Sequence, residues 1–282
     1  MTSNPGDDLD AAWDPRGGTS ETVLASRPDR DIGIAGELTW VGGTGKLLTN
    51  ERVRFHEYMV YDTGRQPITR KELDGNDEAF TTILAIPGGM GGDGLSASFE
   101  GSTVMWKIRT SHDPANLVVT INTAPFRGLN GRPANGFGLT VMSQPAAASG
   151  PDFERGFSLG PRAGSFVISL KSGSGFDLSL RDTGSGSEIR RLTESGGALV
   201  VGECVARGVA RRAVGGVLSP IQRRRQAGSD IVGIDGSGLT RITDTPEITE
   251  AWPTWSLDSL EVAYGARAGA DWDIYAVAVT LP

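Results

Sequence analysis

The sequence predicts an all-β fold, and two features of the 282-residue chain support this prediction. It contains 40 Gly and 15 Pro but only 7% aromatic residues, which favours many tight turns between short strands. No stretch shows sustained apolar spacing of the helical kind. The length fits two average domains or one large all-β domain, so internal periodicity has to decide between them.

A phrase near the C-terminus recurs twice upstream. It runs from Asp230 to Thr243 as a short strand, a Gly-rich hairpin turn at 235–238 and a second strand that ends in Arg-Ile-Thr. Similar phrases run from Asp177 to Thr193, with a turn at Asp182-Thr183-Gly184, and from Tyr58 to Arg70. A cycle of short strands that returns to its opening phrase indicates a structural repeat.

Aromatic residues that introduce the inner strands mark the successive units. We find them at Trp13, Trp40, Phe99, Phe157 and Trp255. The gap before the last one holds about two repeats of roughly 40–45 residues, which gives six units. The third unit carries a segment from about Pro114 to Ala148 that we expect to be a loop insertion, with disorder around 124–148. Together these features predict one domain over residues 1–282, a six-bladed β-propeller of four-stranded antiparallel blades, some of them incomplete.

The repeats resemble those of the TolB-like β-propeller family. Residues 229–279 match that repeat closely and 149–195 match well, whereas 37–70 match fairly and 71–130 only weakly. The resemblance implies a binding scaffold whose specificity lies in its loops. It also implies a periplasmic or extracellular protein, although the acidic N-terminus Met1–Asp8 does not read as an export signal.

Composition excludes several classes of function. The net charge of −7 disfavours binding of a nucleic-acid backbone by the whole molecule. The single Cys204 excludes an internal disulfide framework and a cysteine-cluster metal site. No apolar run reaches the roughly 20 residues that a membrane span needs. We therefore expect a soluble chain with no membrane span and no nucleic-acid partner.

Candidate catalytic and ligand-binding motifs are weak. Gly42–Lys46 resembles part of a phosphate-binding loop, but Leu47 follows the Lys, so a strand-to-strand turn is favoured. Asp7–Asp10 and Asp74–Glu78 lack the order of a calcium loop. His56 and His112 are too few for a histidine metal cluster, and Gly94–Ser98 does not complete a nucleophile elbow. The sequence thus predicts no catalytic residues, no cofactor and no metal site.

The segment from Cys204 to Gly228 departs most from the repeat. It carries Arg207, Arg211, Arg212, Arg223, Arg224 and Arg225 where the fifth blade needs an aromatic residue and an apolar strand. An arginine-rich surface for nucleic acid is one interpretation, but interleaved aromatic residues are missing. A compensated frameshift in the gene and an ordinary divergent loop are the other two. We expect this segment to be the least propeller-like part of the ring.

The function that these observations predict is a non-catalytic scaffold that binds a protein or peptide at one end of the propeller channel. The alternative is the propeller part of a prolyl-oligopeptidase-type peptidase or of a propeller lyase. An adjacent or fused hydrolase domain would favour the alternative. The sequence leaves the oligomeric state open.

Overall fold

A computed structural model of the chain contains strands and no helix among the residues that it describes. The backbone is described for residues 12–13, 23–24, 38–41, 46–50, 57–62, 80–85, 91–98, 100–109, 118–127, 129, 132–133, 137–145, 154–160, 163–173, 175–194, 199–201, 205–208, 215–219, 221–223, 228–256, 260–267, 269 and 271–280. Side chains are described from Leu84 onward, within parts of those ranges. The predicted all-β architecture is confirmed.

The first three blades occupy the chain up to Pro145. Blade 1 has β1 (Ala12–Trp13) and β2 (Val23–Leu24). Blade 2 has β3 (Leu38–Val41), β4 (Lys46–Asn50), β5 (Glu57–Asp62) and β6 (Phe80–Ala85). Blade 3 has β7 (Gly91–Ala97), β8 (Thr103–Arg109), β9 (Val118–Pro125) and β11 (Leu139–Pro145). Between the last two lies β10 (Arg132–Pro133), which pairs in parallel with β6 of blade 2.

The last three blades follow the same antiparallel order. Blade 4 has β12 (Glu154–Leu159), β13 (Ser165–Ser172), β14 (Gly175–Asp182) and β15 (Glu188–Arg191). Blade 5 has β17 (Val205–Gly208), β18 (Gly215–Ser219), β20 (Asp230–Gly233) and β21 (Thr240–Arg241). Blade 6 has β22 (Thr249–Trp255), β23 (Glu261–Arg267) and β24 (Trp272–Ala278). A separate ladder joins β16 (Leu199–Val201) to β19 (Ile221–Arg223).

The first strands of the six blades close a ring. The strands β1, β3, β7, β12, β17 and β22 each contact the first strand of the blade before and the blade after, and β22 contacts β1. Apolar clusters fill the spaces between blades. Met105 and Ile121 of blade 3 pack with Phe166 of blade 4, and Ile231 of blade 5 packs with Trp255 of blade 6. Both faces of a blade are therefore buried, which is how a propeller stabilises short sheets.

The predicted insertion in blade 3 is wrong. Strands β9 and β11 occupy most of residues 118–145, and they pair with each other along their lengths. Only the stretch between them is a connection, and it is tied down by β10, by the buried Leu129 and by partly buried Phe137. The prediction failed because Asn, Gly and Pro suggested loops, whereas tertiary pairing overrides such weak local preferences.

The aromatic markers identify the blades but do not share one register. Trp40 and Trp255 occupy equivalent places, since each lies opposite the residue seven positions later on the second strand. In blade 4 that place belongs to Leu159, and Phe157 lies two residues earlier. Because side chains alternate along a strand, Phe157 can fill the same space between blades. Its ring lies against Gly94 of blade 3, where a Cβ would approach it to 2.8 Å.

Part of the 204–228 segment forms two strands of the fifth blade. Strands β17 and β18 pair from Val205 opposite Leu218 to Gly208 opposite Gly215, and β18 then pairs with β20. The segment also contains β19, which lies outside the blade sheets, so the expectation that 204–228 is the least propeller-like part of the ring stays a prediction. The packing of the arginines lies outside the described residues.

Candidate functional site

Strand alternation assigns each loop to one end of the ring. Neighbouring strands in a blade run antiparallel, so the loops that follow strands two and four open at the same end. We call this end the ladder face, because both strands of the β16–β19 ladder belong to such loops. The first connects blades 4 and 5, and the second connects strands two and three of blade 5. Loops that follow strands one and three open at the opposite face.

The β16–β19 ladder is an addition to the blade plan. It pairs Leu199 with Arg223, Val200 with Gln222 and Val201 with Ile221, and it contacts β14 of blade 4. Neither of its strands pairs with a described strand of any blade. It therefore extends the ladder face beside the point where the chain passes from blade 4 into the channel-lining strand of blade 5.

A buried carboxylate lies beneath the same face. Glu250, at the start of β22, is 4% exposed. Its Oε2 atom accepts hydrogen bonds from the hydroxyls of Ser229 at 2.6 Å and Thr243 at 2.8 Å, and its Oε1 atom accepts one from Thr245 at 2.5 Å. These donors come from blade 5 and from the connection to blade 6. The carboxylate thus joins two blades, and three donors compensate for its burial.

Blade 4 contains a simpler version of this arrangement. Thr193 donates to the buried Asp177 at 2.9 Å, and its oxygen accepts the backbone N–H of Leu178 at 2.9 Å. Thr243 likewise accepts the backbone N–H of Ser229 at 2.6 Å. Both threonines end the repeated Leu-Thr or Ile-Thr phrase. That phrase was the sequence signal that could have revealed the carboxylates, and sequence reasoning treated it only as an element of the repeat.

The pKa of the Tyr264 phenol is raised by burial and in part by the carboxylate of this cluster. Burial raises its pKa to about 12, and the negative charges of Glu250 and of ionised Tyr275 add to the shift. The Tyr264 ring stacks on Tyr275 with centroids 6.1 Å apart. Tyr264 therefore stays neutral at a pH where an exposed tyrosine has ionised.

The high pKa of Tyr264 predicts a loss of stability in alkali. In the unfolded chain Tyr264 ionises near pH 10, whereas in the folded chain it ionises near 12. Its contribution is complete below about pH 10 and is lost as the pH rises toward 12. Denaturant unfolding across this range should show a decline in stability that is smaller in Tyr264→Phe. An identical decline in both proteins would contradict the assignment.

Glu250→Gln tests the carboxylate cluster. The amide keeps the shape but places an NH2 group among hydroxyl donors, so we expect a loss of about 1–3 kcal/mol in unfolding free energy. Removing the charge should also lower the pKa of Tyr264, which spectrophotometric titration of tyrosinate can measure. The matched control is Glu247→Gln in the exposed turn before β22. Equal stability losses in the two variants would rule out the proposed interblade contact.

The opposite face carries ordered polar turns in blades 4 and 5. The Oδ1 atom of Asp182 accepts the backbone N–H of Gly184 at 3.0 Å and the backbone N–H and hydroxyl of Ser185, each at 2.8 Å. These bonds, the hydroxyl first, hold the pKa of Asp182 below its usual value. Asp235 binds Ser237 in the same way and its pKa is also lowered. The predicted hairpin turns are confirmed, and they have a structural role.

Most sequence-predicted candidates lie outside the described residues. They are Asp7–Asp10, Gly42–Gly45, Asp74–Glu78, His56, His112 and Cys204. Lys46, the last residue of the Gly42–Lys46 motif, begins β4 and lies opposite Val41 of β3. Of the arginines at 204–228, Arg207 lies in β17 and Arg223 in β19.

Two searches for recognisable sites concern only the described part of the chain. There, no group of three or more His, Cys, Asp or Glu residues is placed to hold a metal ion. Nor does any helix in that part have the length and apolar character to cross a membrane.

Comparison with known proteins places the fold. No family model and no curated protein matches the sequence. Among solved structures, the chain is similar to a protein described as TolB from Agrobacterium tumefaciens, with 16% identity, a TM-score of 0.55 and coverage of 97% of this chain and 77% of that one. The chain is also similar to TolB from Acinetobacter baumannii, with 13% identity, a TM-score of 0.52 and coverage of 82% of this chain and 50% of that one. A third similar structure is an oligogalacturonate lyase in complex with manganese, with 7% identity, a TM-score of 0.52 and coverage of 92% of this chain and 80% of that one.

These likenesses concern the fold alone. The chain spans half the length of the Acinetobacter protein, and the identities are too low to carry an activity across. The chain has the fold of a TolB-like six-bladed β-propeller.

Proposed function

We propose that this chain is a non-catalytic scaffold that binds a protein or peptide at one end of its propeller channel, and that this end is the ladder face. The observation that carries the proposal is the β16–β19 ladder, which extends this face beyond the needs of the blades. Likeness to two TolB structures supports a binding role. The proposal includes a location in the periplasm or the extracellular space.

The hydrogen bonds of the buried carboxylates support a non-catalytic role for the chain. A general acid or base needs an oxygen that can reach a substrate. Both oxygens of Glu250 instead accept hydroxyls of the chain itself, and Asp177 is bonded by Thr193. The exposed Asp182 and Asp235 hold their own turns. The described carboxylates at these places thus stabilise the fold.

A peptide-display selection against the folded chain tests the proposal. We expect enriched peptides whose affinity, measured by titration calorimetry, falls at least about tenfold in Val200→Pro, because proline disrupts strand pairing in the ladder. The ladder lies outside the blades, so the circular dichroism spectrum should keep its β character. The control is Leu239→Ala, an exposed residue at the opposite face. Failure to enrich any peptide, or unchanged affinity in Val200→Pro, would refute the proposal.

A further inference from the structure

Charge is strongly segregated along this chain. Residues 204–228 contain six arginines and no Lys, Asp or Glu. Without those six arginines the chain has 21 basic and 34 acidic residues, which is a net charge of −13. A cationic segment of this size in an otherwise acidic molecule indicates a local preference for a partner of negative charge.

The fold brings part of this cationic segment to the ladder face. Arg223 lies in β19, opposite Leu199 of β16. Arg207 lies in β17, the first strand of blade 5. This strand begins at the ladder face, but Arg207 is the third of its four residues and lies beside the end that opens at the opposite face. Of the two arginines in described strands, Arg223 therefore belongs to the ladder face.

The ladder also offers backbone groups. Each of its strands has one paired edge and, within the described part of the chain, no strand paired to its other edge. An unpaired edge can accept an extended peptide as a further strand, with main-chain hydrogen bonds supplying affinity and side chains supplying specificity.

We infer that the partner bound at the ladder face is an acidic peptide in extended conformation, which adds to the β16–β19 ladder with its carboxylates toward the arginine-bearing strand β19. This inference rests on the proposed function and names the chemistry of its partner. A single-stranded nucleic acid is disfavoured, because residues 204–228 contain no Phe, Tyr or Trp on which a base could stack. The charge of −13 on the rest of the chain would also repel a phosphate backbone.

Binding of defined probes to the folded chain tests the inference. The probes are fluorescein-labelled peptides that alternate Val with Glu, Gln or Lys, and an oligothymidylate. In fluorescence anisotropy we expect the Val-Glu peptide to bind at least about tenfold more tightly than the Val-Gln peptide, and more weakly as salt is added. The Val-Lys peptide should not bind. Tighter binding of the oligothymidylate than of the Val-Glu peptide would overturn the inference.

Charge reversal at Arg223 locates the contact. We expect Arg223→Glu to weaken Val-Glu binding about tenfold and Arg223→Gln to weaken it less. The matched control is Arg127→Glu, which makes the same change of charge at an exposed residue after β9, toward the opposite face. Circular dichroism verifies the fold of each variant, and Arg223→Gln provides the measurement if Arg223→Glu does not fold. Equal weakening by the control, or full binding by both Arg223 variants, would overturn the inference.

The outcome is distinguishable from failure of the proposed function. If display selection enriches peptides that bind at the ladder but carry no acidic residues, the proposed scaffold function is supported and the inference of an acidic partner is overturned. If nothing is enriched, the proposed function itself fails.

Discussion

Replacing Gly186 with Ala is expected to destabilise the chain by about 4 kcal/mol, one of the largest effects of any single methyl group in this fold. Gly186 lies in the turn between β14 and β15 with a φ of 70°, a conformation that costs an L-residue roughly 1–2 kcal/mol. A Cβ there would overlap the carbonyl oxygen of Val141 in β11 of the preceding blade. Backbone cannot move aside as a flexible side chain can, so the interface between blades 3 and 4 must open.

Two glycines serve as controls for this variant. Gly236 occupies the corresponding turn of blade 5 with a φ of 82°, but its nearest neighbours, in Arg191 and Leu192, are 3.6 Å from an added Cβ. Gly236→Ala should therefore cost only the roughly 1–2 kcal/mol of backbone strain. Gly184→Ala, which meets only the Asp182 carboxylate at 3.4 Å, should cost less than about 1 kcal/mol. Denaturant unfolding measures all three, and equal losses in Gly186→Ala and Gly236→Ala would contradict the overlap.

Trp106→Ala is expected to cost about 3–5 kcal/mol. Trp106 is fully buried in β8, in a cluster with Leu84 of blade 2 and Leu129 of the connection between β9 and β11. Gly138 approaches its ring closely, since a Cβ there would lie 3.0 Å from Cη2. Truncation therefore leaves a large cavity against backbone that cannot collapse into it.

Two measurements separate this effect from a general loss of apolar surface. Leu139→Ala, at a side chain that is 47% exposed, should change the unfolding free energy by less than about 0.5 kcal/mol. Hydrogen exchange in Trp106→Ala should increase at Leu84 and Ala85 as well as in β8, because the cluster spans two blades. Increased exchange confined to β8 would argue against a shared core.

The repeat phrase was sufficient to predict the blades. Contacts between segments that are distant in sequence could not be predicted from it. Turn residues such as Asp235 and Gly236 act locally, so their spacing was readable. The pairing of β10 with β6 depends on a contact between segments that lie far apart in sequence, and no local pattern encodes it. Glu250 was missed for the same reason, because its donors come from Ser229, Thr243 and Thr245 and only folding brings them together.

The outer edge of blade 2 has a consequence for how the chain matures during synthesis. Its last strand, β6, emerges from the ribosome before Arg132 and Pro133 exist, and those two residues supply the strand that covers it. Until then Leu84 also lacks Trp106 and Leu129, its partners in the core. Blade 2 therefore cannot reach its final stability as an independent unit. We expect blades 2 and 3 to become ordered together, so that a nascent chain arrested before residue 130 remains open to proteolysis in both.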